Sequence, residues 1–405
     1  MTSPNAAPVV MIDNGSYQIR AGYAGEEGPR LVMPTLVGLA RNKGVAMASG
    51  MSDSAVGEDA VARRGMLFCN QPFQGGIVNN WADAERLWAN IIFSELRIIP
   101  ENHCFVMTQP ATTPEDQKEK LLELMMETFN AHSLYLGAAP VFSLYSYGLT
   151  TGLVVDSGLD NTTVVPVHEG YALGRHVTTS PVAGRQLTLY LAQLMKRRGY
   201  TFGTPVELDL INNVKEDLCF VRNPFRNDDF ASSLNNGGEQ LGKHFCLPDG
   251  QAIPIDEQRH ECVEALFDFS ILGESYNPYY HMTTDHGDNY NPSIRKGLSW
   301  LAFTAINHCE PVLRAQLYNS IVLAGGTTSF QGTQGRLLDE VRQCYRETHP
   351  NEGIIPISVQ DMAARQYAAW IGGVMLSRTP MFHHLTVSRA EYAEHGHRII
   401  HCKNL

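Results

Sequence analysis

The sequence predicts an α/β protein of two domains, and three observations carry that reading. At 405 residues the chain is too long for one simple core. Period-2 apolar runs alternate with stripes at helical spacing, the pattern of strands packed against helices. A strand that breaks at an aspartate and a small-residue turn occurs twice, at Asp13-Asn14-Gly15-Ser16 and at Asp156-Ser157-Gly158, as expected of two similar halves.

The first turn follows the apolar strand Val9 to Ile12, and an alternating strand leaves from Tyr17. Asn-Gly between apolar runs predicts a tight hairpin. Such a turn turns several backbone N–H groups to one side, which suits an anionic phosphate. Asp13 cannot face a phosphate favourably, but it can hold a hydrated Mg²⁺ that does. Ala40 to Val56, rich in Gly, Ala, Ser and Met, has no sustained period and reads as a flexible loop. Thr113-Pro114-Glu115-Asp116 predicts a helix start, with a hydroxyl cap, proline at the first position and acids in the first turn. Leu121, Leu122, Met125, Met126 and Phe129 then form a core stripe.

The second turn lies between Thr151–Val155 and Thr162–Val167, both strand-like. Leu187, Leu191, Leu194 and Met195 make a second helical stripe. Leu323-Ala324-Gly325-Gly326-Thr327-Thr328 predicts a glycine-rich strand-to-helix turn that lets a ligand approach the backbone closely. The terminal histidines His383, His384, His395, His397 and His401, followed by Cys402, lack the fixed ligand spacing of a metal site.

Composition excludes several function classes. Hydrophobic content of 43% and charged content of 18% describe an ordinary globular protein. A formal net charge of −11 argues against direct nucleic-acid binding, which needs a basic face. The eight cysteines are scattered without close pairs, as in a reducing compartment. MTSPNAAPVV reads neither as a signal peptide nor as an anchor, and no apolar run is long enough to span a bilayer, so no membrane role is expected.

DNGS…RAGYAG, GIVNNW, LYSYGLTTGLVVDSG, HEGYAL, AGRQLT, VKEDLCFV, LAGGTT and AAWIGG occur in the order and spacing of actin. The chain resembles actin, and more closely an actin-related protein, over nearly its whole length. The resemblance implies a duplicated actin/Hsp70-like ATPase fold, two domains divided into four subdomains around a nucleotide cleft. The implied boundaries are 1–34, 72–146 and 370–405 for subdomain 1, and 35–71 for subdomain 2. Subdomain 3 would take 147–182 and 299–369, and subdomain 4 would take 183–298. It also implies ATP or ADP with Mg²⁺, the metal oriented through water by Asp13 and Asp156. Asn14, Gly15, Ser16, Arg20, Ser157 and Gly158 would serve the phosphates, and Gly184 would border the ribose. Lys215 and Glu216 would lie beside the base and sugar, with Gly325, Gly326 and Thr327 over the adenine and α-phosphate. Tyr145, Gly148, Thr150, Gly170, Tyr171 and Leu376 match the apolar cleft that accepts partner helices in actin.

The departures from that pattern point away from vigorous hydrolysis. Tyr17 stands where actin has a phosphate-contacting glycine, a costly change if the position needs positive φ. Arg20 exchanges a compact ammonium for a planar fork. Ala139 occupies the place of the glutamine that orients the attacking water. Leu159 and Thr163 fall where an acid and a histidine would be, and Gln366 replaces a lysine near the adenine. Phosphoryl transfer rests on positioning and electrostatics, so these changes predict weak or absent turnover. Tyr276 to Lys296 is longer than its counterpart in actin and rich in Tyr, Asn and Pro, which favours a partner or lattice contact. Arg378, Thr379 and Met381 depart from the usual cleft rim.

The expected function is therefore a structural one. The chain would be a nucleotide-loaded actin-related subunit of a cytoskeletal assembly, such as a motor-associated or axonemal complex, in contact with other subunits, actin or like chains. The expected setting is the cytoplasm and cytoskeleton, including the cilium or flagellum. The alternatives are a divergent polymerising, ATP-hydrolysing actin and a nuclear subunit of a chromatin remodeller.

Overall fold

The computed structural model describes residues 7–41, 53–226, 243–247, 250, 252–273, 296–351, 353 and 355–403. The chain divides into two compact units, one of Met1–Thr151, Val167–Gly174 and Gln366–Leu405, the other of Gly152–Pro166 and Arg175–Arg365.

The first unit is built on a six-stranded mixed sheet in the order Val387–Ser388, Ser133–Ala138, Cys104–Gln109, Val9–Asn14, Gln18–Tyr23, Leu31–Pro34. Val10, Met11 and Ile12 are all fully buried, as an interior strand with both faces covered requires. Val9–Asn14 runs parallel to Cys104–Gln109, with Val10 opposite Phe105, and antiparallel to Gln18–Tyr23, with Val10 opposite Tyr23. That pairing carries the first Asp turn to the end of the central strands.

The predicted stripe of Leu121, Leu122, Met125, Met126 and Phe129 lies in the core of this unit, with Trp88, Phe105 and Leu134. The helix starts differently from expectation. Thr113 Oγ1 donates to the Pro110 carbonyl at 2.8 Å, and Pro114 takes the capping position of Glu115–Glu123. A hydroxyl turned back to close its own turn has no lone pair aimed at the helix N–H groups. The helix then widens into a π-type turn over Leu124–Thr128. The expected loop from Ala40 to Val56 has ordered ends, because Val37–Ala40 pairs with both Ser54–Val56 and Leu67–Asn70. Residues 42–52 lie outside the described residues.

The sheet of the second unit places Gly152–Ser157 between Thr162–His168 and Ile321–Ala324, with Val359–Gln360 beyond. Leu153 pairs in parallel with Ile321, and Thr162 pairs with Ser180 of Thr178–Ser180. The helix Gly184–Arg197 buries Leu187, Leu191, Leu194 and Met195 on one face, as their spacing predicts. Thr204 and Glu207 form a reciprocal capping box at the start of Pro205–Leu218, with Pro205 in the first turn. Arg336 is almost completely buried, and its guanidinium is shared among Glu340, Glu264 and the Arg222 carbonyl. Burial pushes the Glu340 carboxyl up, against the opposing pull of Arg336.

Of the Tyr276–Lys296 segment only Lys296 is among the described residues, and its carbonyl accepts from the Phe269 N–H at 3.0 Å. No helix among the described residues is long and apolar enough to cross a membrane.

Candidate functional site

The predicted site residues fall into two groups, one in each unit. In the first, Asp13 and Asn14 end a central strand and are largely buried. The Asp13 carboxylate is held from two sides. Thr108 Oγ1 donates to Oδ1 at 2.9 Å, and Arg20 Nη1 pairs with Oδ2 at 3.0 Å. The Arg20 guanidinium lies 5.4 Å from the centre of the Tyr367 ring, a cation–π contact.

The predicted hairpin exists, with Val9–Asn14 and Gln18–Tyr23 paired antiparallel across the turn. Neither Asn14 nor Gly15 has positive φ, and Asn14 pairs across the ladder with Ile19. Asn14 is drawn into the sheet. Its N–H donates to Thr108 Oγ1 at 2.7 Å, its amide donates to the Thr108 carbonyl at 3.0 Å, and its carbonyl oxygen accepts from Trp88 Nε1 at 3.0 Å. All three groups are spent within the unit, so Asn14 braces the turn, and the Gly15 N–H closes it on the Asp13 carbonyl at 3.2 Å. Ser16 Oγ accepts from the Gly76 N–H at 3.1 Å. Tyr17 is free of the strain considered for it, since it too has no positive φ.

In the second unit the turn is secured by hydroxyls. Thr162 Oγ1 donates to the Val182 carbonyl at 2.7 Å and so accepts from Ser157 Oγ at 2.6 Å. The Gly158 N–H closes the turn on the Asn161 carbonyl at 3.1 Å. The Gly158 carbonyl accepts from the Gly184 N–H at 3.0 Å and from Thr327 Oγ1 at 2.7 Å. Gly184, Gly158 and Thr327 thus meet at one point, where a Cβ on Gly184 would lie 2.8 Å from Thr327 Oγ1. Gly325 has φ 81°, and a Cβ there would strike the Asp156 carboxylate and the Ser157 carbonyl, so only glycine fits. Gly326 and Thr327 open the short 3₁₀ turn Gly326–Ser329.

Lys215 is buried, and its three N–H groups are all used, on the Gly184 carbonyl, Thr188 Oγ1 and Asn212 Oδ1 at 3.1, 3.0 and 2.7 Å. Burial lowers its pKa, with Glu216 pulling the other way. Asn212 in turn donates to Glu216 Oε1 at 2.7 Å. Lys215 therefore ties the Gly184 turn to the next helix, while Glu216 is the exposed member of the pair.

The predicted cleft residues gather in the first unit. The Gly170 N–H donates to the Thr150 carbonyl at 2.8 Å, and a Cβ on Gly170 would lie 2.5 Å from the Tyr145 hydroxyl. Gly148 closes the preceding helix onto the Tyr145 carbonyl at 2.9 Å with φ 72°. Tyr145 and Leu376 pack on the same apolar cluster as Phe142 and Trp370, and Tyr171 is exposed. Arg378 Nε donates to the Ala24 carbonyl at 2.8 Å, which fixes the guanidinium against the chain.

Sequence reasoning missed Thr108, Trp88 and Thr162. Thr108 and Trp88 reach Asn14 across 94 and 74 residues, a separation that leaves no local signal. Thr162 was within reach, since a hydroxyl five residues after Ser157 is the natural partner of a turn serine.

The donor chemistry fits an anion. Arg20 Nε is a buried N–H without a partner among the described residues, and its guanidinium lies against the Gly15 turn. Two α/β units with glycine-lined strand-end turns define a nucleotide-binding class of protein. The Actin family model matches residues 5–405, and the chain belongs to that family. It is a nucleotide-binding, actin-like protein with the two-domain ATPase fold of the family, whose members bind adenine nucleotide with a divalent cation.

Proposed function

We propose that this protein is a structural actin-related subunit that holds ATP or ADP as a brace and hydrolyses it poorly. The carrying observation is Ala139. It is the first residue of the helix Ala139–Ser146, directly after the Ser133–Ala138 strand, and a methyl group there cannot orient a water molecule. Leu159 and Thr163 add no acid or base, and Thr163 sits in the strand ladder opposite Thr179. Asp13 and Asp156 would hold a Mg²⁺ ion, which would offset phosphate charge. Ser16 and Arg20 receive the phosphates, which Gly15 and Gly158 let approach the turns closely; Gly184 and Glu216 take the sugar, and Gly325, Gly326 and Thr327 the base side. The four-subdomain division of the family is adopted with the boundaries given above.

The subunit works within a larger cytoskeletal assembly, motor-associated or axonemal, and Tyr145, Gly148, Thr150, Gly170, Tyr171 and Leu376 receive a partner segment. The altered rim at Arg378, Thr379 and Met381 supports a selective partner over a generic one.

Single-turnover hydrolysis by the purified chain tests the reading. The expected rate is at least about 100-fold below that of conventional actin, the scale for misplaced reacting groups. A rate equal to actin's overturns it. Co-purification from cells, with the recovered chains identified, tests the assembly, and recovery of the chain alone as an ATP-driven polymer argues against it.

A further inference from the structure

The structure assigns Arg20 the role of an internal counter-cation for Asp13, which reduces the dependence of nucleotide binding on a divalent metal. The inference rests on the nucleotide-binding reading of the first turn and deepens it. Arg20 Nη1 lies 3.0 Å from Asp13 Oδ2, with both side chains largely buried. The other carboxylate oxygen is occupied by the Thr108 hydroxyl at 2.9 Å. Asp13 thus presents its charge already paired, and each oxygen has spent one acceptor site.

A divalent cation held through water by a carboxylate depends on an uncompensated negative charge and on free lone pairs to orient those waters. Pairing with a guanidinium weakens both. The same fork keeps phosphate affinity. One arm holds Asp13 while Nε–H, buried and unpartnered among the described residues, has no protein acceptor. A planar guanidinium can serve a carboxylate and a phosphate oxygen together, as a single ammonium point charge does less well. The Tyr367 ring beneath it, 5.4 Å from the guanidinium carbon, holds the fork in that plane. The backbone contributes too, since a Cβ at Gly15 would lie 3.4 Å from Arg20 Nη1, which places the cation against the turn itself.

The test measures ATP affinity of the full chain with excess Mg²⁺ and again after chelation of all divalent metal. Metal and nucleotide are coupled reciprocally, and couplings commonly span about 5- to 150-fold, so the ratio of the two affinities reads the effect directly. The wild-type chain is expected to lose less than about tenfold on chelation, the low end of that range. Arg20→Gln, which frees Asp13, is expected to lose about 100-fold, with Mg²⁺ affinity of the ATP-bound chain rising in parallel. Arg20→Lys, the milder change, is expected to lie between them and serves if Arg20→Gln unfolds on thermal melting. A wild-type loss of about 100-fold, or variants whose loss equals that of the wild type, overturns the inference while leaving nucleotide binding intact. Failure to bind ATP even with Mg²⁺ overturns both.

Discussion

The two Asp turns share a sequence plan and differ in what holds them. At the first, charge and distant partners dominate. Asp13 pairs with Arg20, and Thr108 and Trp88 reach in from other elements. At the second, the hydrogen bonds on Ser157 and Gly158 are neutral, some local, from Ser157 to Thr162 and from Gly158 to Asn161, and some distant, from Gly184 and Thr327 to the Gly158 carbonyl. A pattern of strand, acid, small residue and glycine therefore sets the backbone path but leaves the electrostatics of the site to residues outside it. The first turn carries an ion pair on its own aspartate, so its properties respond to a single change of charge.

The largest break in that contrast comes from Asp13→Ala. It leaves Arg20 buried without its carboxylate and should cost about 3–5 kcal/mol in equilibrium unfolding. Thr162→Val, at the second turn, keeps the side-chain shape and strands both the Ser157 hydroxyl and the Val182 carbonyl, with an expected cost of about 1–3 kcal/mol. If the two substitutions cost the same in denaturant titrations, the distinction between charged and neutral bracing fails. The double variant Ser157→Ala, Thr162→Val should be less damaging than the sum of the singles, because both partners leave together. Comparable to the Thr162→Val single is Trp88→Phe, which removes the N–H to Asn14 together with part of a buried ring, for about 1–3 kcal/mol.

The smallest effect is a pH response away from both turns. Glu391 caps the helix Arg389–His395 and accepts from Lys403, whose proximity with the Ser388 N–H holds its pKa down to about 2. A carboxyl with a lowered folded pKa contributes stability above its unfolded value, and that contribution disappears as pH falls through the folded one. Protection of the Arg389–His395 helix in hydrogen exchange should therefore decline between the ordinary glutamate range, about 4.3, and about 2. Glu391→Gln should abolish this acid response and leave the behaviour of Asp13→Ala unchanged. Loss of protection at the same pH in Glu391→Gln would assign the response to another group.

Much of the architecture was legible because burial leaves a periodic trace. The apolar run Val9 to Ile12 and the stripe through Leu121 and Met125 sit in the core of the first unit, as their spacing implies. Local chemistry was read less well. Thr113 looked like a helix cap, but its hydroxyl bonds backward to Pro110, a choice between two nearby acceptors and donors that spacing cannot rank. Asn14-Gly15 marked the hairpin, but nothing local showed that Thr108 and Trp88 hold Asn14 within the strand. The substitution at position 20 was visible, since Arg stands where lysine was expected. Its partner was not, because the fork and Asp13 meet only once the hairpin ladder is formed. Of the Tyr276–Lys296 insertion, all but Lys296 lies outside the described residues.

The indole of Trp88 gives the first turn an optical handle. Its Nε1–H sits on Asn14 in a dry interior, so its emission should be blue-shifted and should move when the turn rearranges around a bound anion. Trp81 lies with its ring 6.4 Å away and will exchange excitation with it, so the signal is isolated when Trp81, Trp300 and Trp370 are all replaced by Phe. Intrinsic fluorescence then follows filling of this turn in solution without any attached dye.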